Sequence, residues 1–564
     1  MRSRWVKPLA VLVVVAACTS TGTTTSGPGT TGGATGPGTS PPTATGGTVR
    51  IGWGGSPDSL NPGNGLLTEA YTIYELVYDT PIGLDLDGNY VPELAEEWSV
   101  SDDGLTWTMK LVENARFHDG TPLTSEDVKF SLELWRDNED FPFLPSYPDV
   151  FTIEAPDPTT VVLTTEEPIG NFESRMVFMY IVPKHIWEEI DDPVAYDNAD
   201  MIGSGSFELA EYRQGEFVRL EANKDYWGGA PNIDGVIFQT IENPDARVAA
   251  LRAGDVDMIT EMPNTAISTL QSDPNIEVVI GEPLAPGLSD IFFNIVPDEL
   301  CPAEDGVCSG HPALKDLQVR LALAHAVDKQ QLIDVALLGL GTPGISLVPT
   351  GLGGYFNSSL VDYPFDLDEA RQILEDAGYL DTDGDGIREC KPDQSCDDLT
   401  FRFNYPSDSD TAPREVEMVS AWWKEIGVAT VVQGLDPDTL TSVCCPTFDY
   451  DVIRWGWGSD PDPGFLLGVA LCSEIDSGFS ETGYCNPEYD ALYDQQATET
   501  DPETRREIVW QMQEILLRDL PYIIPYYDLT VQAYRKDTFT GWRTDATKLA
   551  LEDPTSLNVI RPAG

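Results

Sequence analysis

A short acidic segment has the residue types and spacing of a metal site. Asp381, Asp383 and Asp385 occupy alternate positions, and Gly386 stands at the sixth position, as at the start of a calcium-binding loop. The twelfth position, where such loops carry a bidentate glutamate, holds Pro392. The segment is therefore either a calcium site or a surface turn that follows a helix, and the missing glutamate favours the turn.

The patterns that would indicate an enzyme are missing. The four histidines, at positions 118, 185, 311 and 325, form no H-E-x-x-H zinc motif, and the sequence has no G-x-S-x-G nucleophile elbow. Residues 339–344 match G-x-G-x-x-G, but they follow a predicted helix and contain Pro343, so we predict a loop and no nucleotide site. We expect no catalysis and no cofactor, and an exported hydrolase is the alternative.

The N-terminus has the features of an export signal. Three basic residues precede an apolar stretch over residues 9–17 that is too short to span a bilayer as a stable helix. The stretch ends in V-A-A-C, which resembles the bacterial lipobox, where small residues precede a cysteine that is acylated. We predict a lipoprotein signal peptide at residues 1–17 and a lipidated Cys18 on the outer face of the cell membrane, or on the periplasmic side if an outer membrane exists. An ordinary signal peptide with a chance cysteine is the alternative.

A low-complexity segment follows the lipobox. Residues 19–48 are almost wholly Thr, Ser, Gly, Pro and Ala, and they contain no charged side chain. Because nothing in them is large enough to bury, residues 18–48 are predicted to form a flexible tether with an r.m.s. reach of roughly 30 Å. A glycosylated stalk is also compatible with this composition.

The other eight cysteines predict disulfide bonds, because an even number in an exported chain is typical of a disulfide framework. Close spacing favours the pairs Cys301–Cys308 and Cys390–Cys396. The remaining four would then form two bonds in which the neighbours Cys444 and Cys445 pair with Cys472 and Cys485. A zinc site is the alternative, but no C-x-x-C pattern supports it.

Strands and helices alternate along the rest of the chain. Val49, Ile51 and Trp53 have the period of a half-buried strand, and so do Trp107, Met109 and Leu111. Helical spacing is seen in two further sets, which are Leu317, Leu321 and Ala324, and Ile508, Met512, Ile515 and Leu516. We predict an α/β or α+β body with more than one lobe.

The charge of the chain excludes one class of partner. Asp and Glu number 94 against 33 Lys and Arg, which gives a formal net charge of −61. Such a field repels phosphate groups, so we expect no nucleic-acid binding. The acidity is also compatible with a saline habitat, where salt screens the self-repulsion of the fold.

Many segments resemble, in order, those of one protein family. They include S-P-D-S-L-N-P at 56–62, L-A-E-E-W at 94–98, F-H-D-G-T-P-L-T-S-E-D-V at 117–128, G-S-G-S-F at 203–207, N-K-D-Y-W at 223–227, A-L-R-A-G-D-V-D at 250–257, V-R-L-A-L-A-H-A-V-D at 319–328, A-R-Q-I-L-E-D-A-G-Y at 370–379 and L-P-Y-I-I-P at 520–525. The family is that of the peptide- and nickel-type extracellular solute-binding proteins of ABC importers. The likeness covers essentially all of residues 49–560.

The resemblance implies a two-lobed α/β fold of the periplasmic-binding-protein type II class, with an extra subdomain inserted in the first lobe. We place the first lobe at 49–285 and 525–564, its insertion at about 79–200, and the second lobe at 286–524. The implied role is a monomeric receptor that delivers a peptide or other small solute to the permease subunits and ATPases of an importer. Oligosaccharides, nickel chelates and haem are alternative solutes, and a sensor or chaperone is an alternative role.

The resemblance also suggests ligand contacts. Residues 455–463, W-G-W-G-S-D-P-D-P, resemble the family segment in which an aspartate pairs with the α-ammonium of a peptide, which points to Asp460. Trp455 and Trp457 would offer flat apolar walls, and Arg414 lies roughly where some members face the peptide carboxylate. Alternatively, the tryptophans belong to the core, Asp460 and Asp462 form turns, and Arg414 is a solvated residue at a helix start.

Overall fold

The computed structural model describes residues 47–142, 148 and 150–563. The predicted signal peptide, Cys18 and nearly all of the tether therefore lie outside the described residues. Among the described residues, no helix is long and apolar enough to cross a membrane.

The described residues form β-strands with the following bounds: β1 Thr48–Trp53, β2 Ile82–Leu84, β3 Tyr90–Pro92, β4 Ala95–Val100, β5 Thr106–Leu111, β6 Thr152–Asp157, β7 Thr160–Thr164, β8 Phe207–Arg213, β9 Phe217–Ala222, β10 Gly235–Thr240, β11 Met258–Ile259, β12 Ile276–Gly281, β13 Gly287–Phe293, β14 Gly341–Pro343, β15 Thr400–Pro406, β16 Ala429–Leu435, β17 Val452–Gly458, β18 Tyr522–Asp528, β19 Thr530–Arg535, β20 Phe539–Thr540 and β21 Arg561–Pro562.

The α-helices in the same part of the chain have these bounds: α1 Thr68–Val77, α2 Ser125–Asp137, α3 Phe172–Met176, α4 Lys184–Trp187, α5 Pro244–Ala253, α6 Ile267–Gln271, α7 Leu317–His325, α8 Lys329–Ala336, α9 Leu367–Asp376, α10 Ala412–Glu425, α11 Pro437–Cys444, α12 Gly464–Gly468, α13 Glu474–Ser477, α14 Pro487–Thr498, α15 Pro502–Asp519 and α16 Pro554–Leu557.

Two large mixed sheets define two lobes. The seven-stranded sheet has the order β12-β19-β11-β1-β10-β9-β8, and the six-stranded sheet has the order β14-β18-β13-β17-β15-β16. The chain passes from the first sheet to the second between Gly281 and Gly287, and it returns at Leu529, between β18 and β19. The predicted boundary at 524 and 525 falls inside β18, because that strand pairs with β13 through Tyr527.

A four-stranded antiparallel sheet, β4-β5-β7-β6, is inserted after α1 in the first lobe. Its strand β5 has the predicted alternation, since Trp107, Met109 and Leu111 are all buried. Helix α2 packs against β6 and β7 and begins with a capping box in which Thr124 and Asp127 satisfy each other's backbone N–H groups. Burial of its apolar face therefore covers one side of this small sheet.

The amphipathic helix α15 buries the residues that its spacing predicts, whereas α7 buries a partly different set. In α15, Ile508, Met512, Ile515 and Leu516 are all buried. In α7 the buried face contains Val319, Leu323 and Ala324, while Leu317 and Leu321 are only half-buried. The difference arises because α7 is covered on more than one side, so its apolar residues do not define a single narrow stripe.

The G-x-G-x-x-G match at 339–344 is partly a strand and not the predicted loop. Residues Gly341–Pro343 form β14, the edge strand that pairs with β18. Proline is tolerated there because an edge strand can leave one side unpaired. The segment precedes no helix N-terminus, so it lacks the strand, turn and helix order of a dinucleotide site.

Candidate functional site

The segment that follows β17 lies between the two lobes. The Ser459 N–H donates to the carbonyl of Pro286, 3.0 Å away, just before the start of β13. The carbonyl of Pro461 accepts a 3.2 Å hydrogen bond from the Tyr90 hydroxyl, which belongs to β3 of the first lobe. Residues 459–461 therefore run along the cleft between the lobes and touch both of them.

Asp460 is an uncompensated carboxyl group in this cleft. Its side chain is half-buried, and it makes no hydrogen bond or ion pair with any other residue that the structure describes. Burial raises the pKa of Asp460 to about 6, and the charge of Asp462 adds to the shift. A desolvated carboxylate that lacks a partner is the group that a ligand cation would stabilise most.

Tyr71 of helix α1, in the first lobe, lies within electrostatic reach of Asp460. The pKa of Tyr71, in the first turn of α1, is raised to about 12 by burial and by the negative charges of Asp58 and Asp460. The Tyr71 ring packs edge-on against Tyr74 and Phe178, at centroid distances of 5.9 and 6.4 Å. An aromatic residue of the first lobe and an acidic residue of the second lobe thus influence each other, and hinge motion between the lobes would change their separation.

The two tryptophans of β17 are half-buried side chains at the border of the second-lobe core. Trp457 packs edge-on against Phe465 and Phe479, with ring centroids 5.7 and 5.9 Å apart. Trp455 packs against the same apolar cluster and stands opposite Asp290 in the pairing of β17 with β13. Both rings therefore contact the second-lobe core. Each ring also keeps an exposed part, and the two residues shortly precede Asp460 in the sequence.

The structure does not bring Arg414 to this site. Arg414 lies in the first turn of α10, and its guanidinium forms an ion pair of 2.7 Å with Glu417, one turn further along. The side chain is 53% exposed and borders a shallow surface depression with Gln331 and Trp422. It is a solvated residue at a helix start, because its partner and its neighbours belong to the outer helical layer.

Asp462 is not the simple turn residue that the Asp-Pro pattern suggests. Its two carboxylate oxygens accept hydrogen bonds of 2.6 and 2.8 Å from the guanidinium of Arg505, in α15. Both side chains are buried, with 8% and 3% of their surfaces exposed. Asp462 also accepts the backbone N–H of Gly464 at 2.8 Å, so it fixes the turn into α12 as well. Only Asp460 of this acidic pair is available to a ligand.

Comparison with known proteins agrees with this architecture. The sequence model for bacterial extracellular solute-binding proteins, family 5 (middle region), matches residues 89–476. The chain belongs to this family. Like the other family members, it is a solute-binding protein of the extracellular side, and the predicted two-lobed α/β fold is confirmed.

Two similar proteins illustrate the relationship. The chain is 28% identical to the oligopeptide-binding protein AppA of Bacillus subtilis over 497 residues, which is 86% of each chain. It superimposes on the substrate-binding protein CtaP of Listeria monocytogenes with a TM-score of 0.76 and 26% identity, over 92% of this chain and 100% of CtaP. The structure of AppA with a bound nonapeptide gives a TM-score of 0.65 and 24% identity, over 92% and 99% of the two chains.

The acidic segment after α9 forms a tight turn in this family 5 protein. Asp381 accepts the backbone N–H groups of Gly384 and Gly386, and Asp385 accepts that of Ile387. One carboxylate oxygen from each of Asp381, Asp383 and Asp385 lies within 4.8 Å of the others, and all three side chains are exposed. The hydrogen bonds are those of the predicted turn, and calcium binding stays a prediction.

The cysteines pair differently from the prediction in one respect. Cys301–Cys308 and Cys390–Cys396 form the expected local disulfides. The other four pair as Cys444–Cys445 and Cys472–Cys485, so the predicted cross-pairing is wrong. Cys472 and Cys485 flank α13, and the packing of α12 against α14 brings their Cα atoms to 4.4 Å, which leaves the adjacent Cys444 and Cys445 to each other.

No local sequence motif identifies Tyr71 as a first-lobe neighbour of Asp460. Tyr71 lies on α1, nearly 400 residues before Asp460 in the chain. Only the packing of the lobes brings Tyr71 within electrostatic reach of Asp460.

Proposed function

We propose that this protein is an extracytoplasmic receptor that captures a peptide-like solute through its free α-amino group and delivers it to an ABC importer. The observation that carries the proposal is the unpaired Asp460 carboxyl group in the cleft between the lobes. A charged α-ammonium that leaves water needs a carboxylate partner, and a desolvated carboxylate forms a strong charge-assisted hydrogen bond with it. The relative AppA, an oligopeptide-binding protein, supports the peptide class.

The tryptophans would supply contact area without sequence preference. The half-buried Trp455 and Trp457 rings border the same stretch as Asp460, and flat aromatic surfaces accept many side chains. Such an arrangement holds the peptide by its charged N-terminus and tolerates variation further along. The proposal assigns binding without turnover, with the permease and its ATPases as the partners of the closed receptor.

The proposed location includes a lipid anchor. Acylation of Cys18 would hold a monomeric receptor at the outer face of the membrane, and the tether of residues 18–48 would let it reorient toward the permease. The variant Cys18→Ser tests this part. Wild-type protein should enter the detergent phase of a Triton X-114 partition, and the variant should enter the aqueous phase. Equal partition of the two proteins would contradict the lipid anchor at Cys18.

Mass spectrometry of the solute that co-purifies with the protein tests the central proposal. The protein is purified quickly, dialysed, denatured with acid, and the released small molecules are identified. Peptides with free α-amino groups are the expected result. Release of an oligosaccharide, a nickel chelate or haem in stoichiometric amount would overturn the peptide assignment and leave the receptor role standing. A parallel incubation with the released peptide should show no cleavage product.

A further inference from the structure

We propose that the second lobe binds a calcium ion between the carboxyl groups of Asp290 and Glu481, beneath the strand that leads to Asp460. The proposal goes beyond the receptor role, because this position lies in the core of one lobe and not in the cleft between the lobes. It rests on two acidic side chains that the fold brings to one face of the six-stranded sheet, where their oxygens are buried without partners.

The side chain of Asp290 enters an apolar layer. Asp290 lies in β13 between Leu288 and Phe292, and alternate residues of a strand point to the same face of the sheet. Leu288 and Phe292 belong to the apolar cluster that also contains Tyr450 and Tyr522. Asp290 is 0% exposed, and neither of its carboxyl oxygens has a hydrogen-bond partner among the described residues.

The segment after α13 covers this face of the sheet. The Phe479 ring packs edge-on against Trp457 of β17, with centroids 5.9 Å apart. Two residues later, the carbonyl of Glu481 accepts a hydrogen bond from the Tyr450 hydroxyl. The Tyr450 ring in turn packs edge-on against Phe292 of β13, at 5.6 Å. The segment therefore crosses β17 and β13 at the level of Phe292 and its neighbours on that face.

Glu481 is the second uncompensated carboxyl group. It is 5% exposed, and its Oε2 has no hydrogen-bond partner in the described part of the chain. Burial raises the pKa of both carboxyl groups, and the charge of Asp290 raises the pKa of Glu481 further. Arg454 is the cation whose charge acts on Asp290, but it forms an ion pair of 2.6 Å with Glu415. Arg454 alternates with Trp455 in β17, so it points to the opposite face of the sheet.

A phenol oxygen gives an independent sign of a ligand at the same place. The Tyr522 hydroxyl, on β18, has no hydrogen-bond partner among the residues described, and Tyr522 is only 6% exposed. Its ring lies 6.4 Å from that of Phe292, on the face of the sheet that carries Asp290. In agreement, the pKa of Tyr522 is raised by burial and then by the charges of Glu481 and Asp290. Three unsatisfied oxygen-bearing groups therefore lie together inside the lobe.

Calcium fits the chemistry of these groups. Carboxylate oxygens are hard ligands that Ca²⁺ prefers, and its double charge balances two carboxylates whose burial alone would be costly. Mg²⁺ usually keeps several of its waters, which suits poorly a place where solvent does not reach the oxygens. The exposed acidic turn at 381–385 is a separate candidate, because it lies on the surface after α9.

Equilibrium dialysis against calcium at rising concentration, up to a few millimolar, tests the proposal. Wild-type protein should bind one calcium ion per chain more than the double variant Asp290→Asn/Glu481→Gln, which keeps the shape of both side chains and removes their charges. Asp383→Asn, in the exposed acidic turn, is the matched control and should keep this ion. Equal calcium content in wild type and double variant would overturn the buried site.

Thermal unfolding separates a bound ion from an empty pair of acids, because the two cases predict opposite effects. If the ion is bound, calcium should raise the Tm of wild type and a chelator should lower it, while the double variant should not respond. If no ion is bound, the double variant removes two uncompensated buried charges and should be more stable than wild type even in calcium. That result would overturn the proposal. Asp290→Asn alone gives the same comparison should the double variant not fold.

Discussion

Asp462 and Arg505 form a buried bidentate ion pair that ties the end of the cleft segment to the long helix α15, with N–O distances of 2.6 and 2.8 Å. Arg505 also donates to the Tyr355 hydroxyl at 2.8 Å and to the Gln496 side chain at 2.8 Å, so every group around it is satisfied. The pair fixes Pro463 and the start of α12, and thereby the position of Asp460, three residues earlier.

Breaking this pair should destabilise the protein. Asp462→Ala leaves the Arg505 guanidinium buried without its carboxylate, which typically costs about 3–5 kcal/mol of unfolding free energy. Urea denaturation followed by tryptophan fluorescence should show a clearly lower midpoint for Asp462→Ala and for Arg505→Ala. The double variant Asp462→Leu/Arg505→Met should lose less than the sum of the two single losses. Additive losses would mean that the two residues act independently.

Loss of Asp460 should instead abolish binding and leave stability intact. Asp460→Asn removes one partner of a desolvated charge pair with the α-ammonium, which typically costs about 2–5 kcal/mol, or roughly thirty- to several-thousand-fold in affinity. Titration calorimetry with a peptide released from the purified protein measures this loss. N-acetylation of the same peptide should weaken binding to wild-type protein to a similar extent, because it removes the other half of the pair.

The matched control for that variant is Asp438→Asn. Asp438 is an exposed residue of α11 in the same lobe, so its substitution changes the net charge equally without touching the cleft. Its affinity should equal that of wild type. Asp462 is unsuitable as a control because of its ion pair with Arg505. Wild-type affinity in Asp460→Asn would exclude the ammonium contact.

The sequence was sufficient to predict the two-lobed fold, because the family resemblance is carried by runs of neighbouring residues. It also suggested Asp460 as a ligand contact, which stays a prediction. The contacts of Asp462 were not predictable, since Arg505 lies 43 residues away and an Asp-Pro pair also fits an ordinary turn.

Replacement of one cysteine should show whether Cys472 is bonded to Cys485, as in the structure, or to one of the neighbours Cys444 and Cys445, as the sequence predicted. Cys472→Ser should free a single thiol at Cys485, because these two residues flank α13 and are bonded to each other. Alkylation of the unreduced, denatured variant followed by peptide mapping identifies the labelled residue. Label at Cys444 or Cys445 would support the pairing that chain spacing suggests and would contradict the structure.

The buried carboxyl groups of Glu93 and Glu552, in the first lobe, should make the protein less stable as the pH rises. Burial raises the pKa of Glu93 to about 8, with a contribution from Asp79, and raises the pKa of Glu552 to about 7. In the unfolded chain both groups release their protons near pH 4.5, the ordinary value for glutamate. The folded protein therefore binds more protons between pH 5 and 8, and the unfolding free energy must fall across that interval.

Urea midpoints measured from pH 5 to 8.5 test this dependence. The midpoint should decrease as the pH rises through this interval, and the decrease should become shallower as the pH passes the raised pKa of Glu93 at about 8. Repulsion among the many surface carboxylates also lowers the midpoint as the pH rises. The contribution of Glu93 is therefore measured by comparing variants. Glu93→Gln should give a shallower slope than wild type, and the exposed substitution Glu113→Gln should not change it. Equal slopes for Glu93→Gln and wild type would show that Glu93 is ionised in the folded protein at neutral pH.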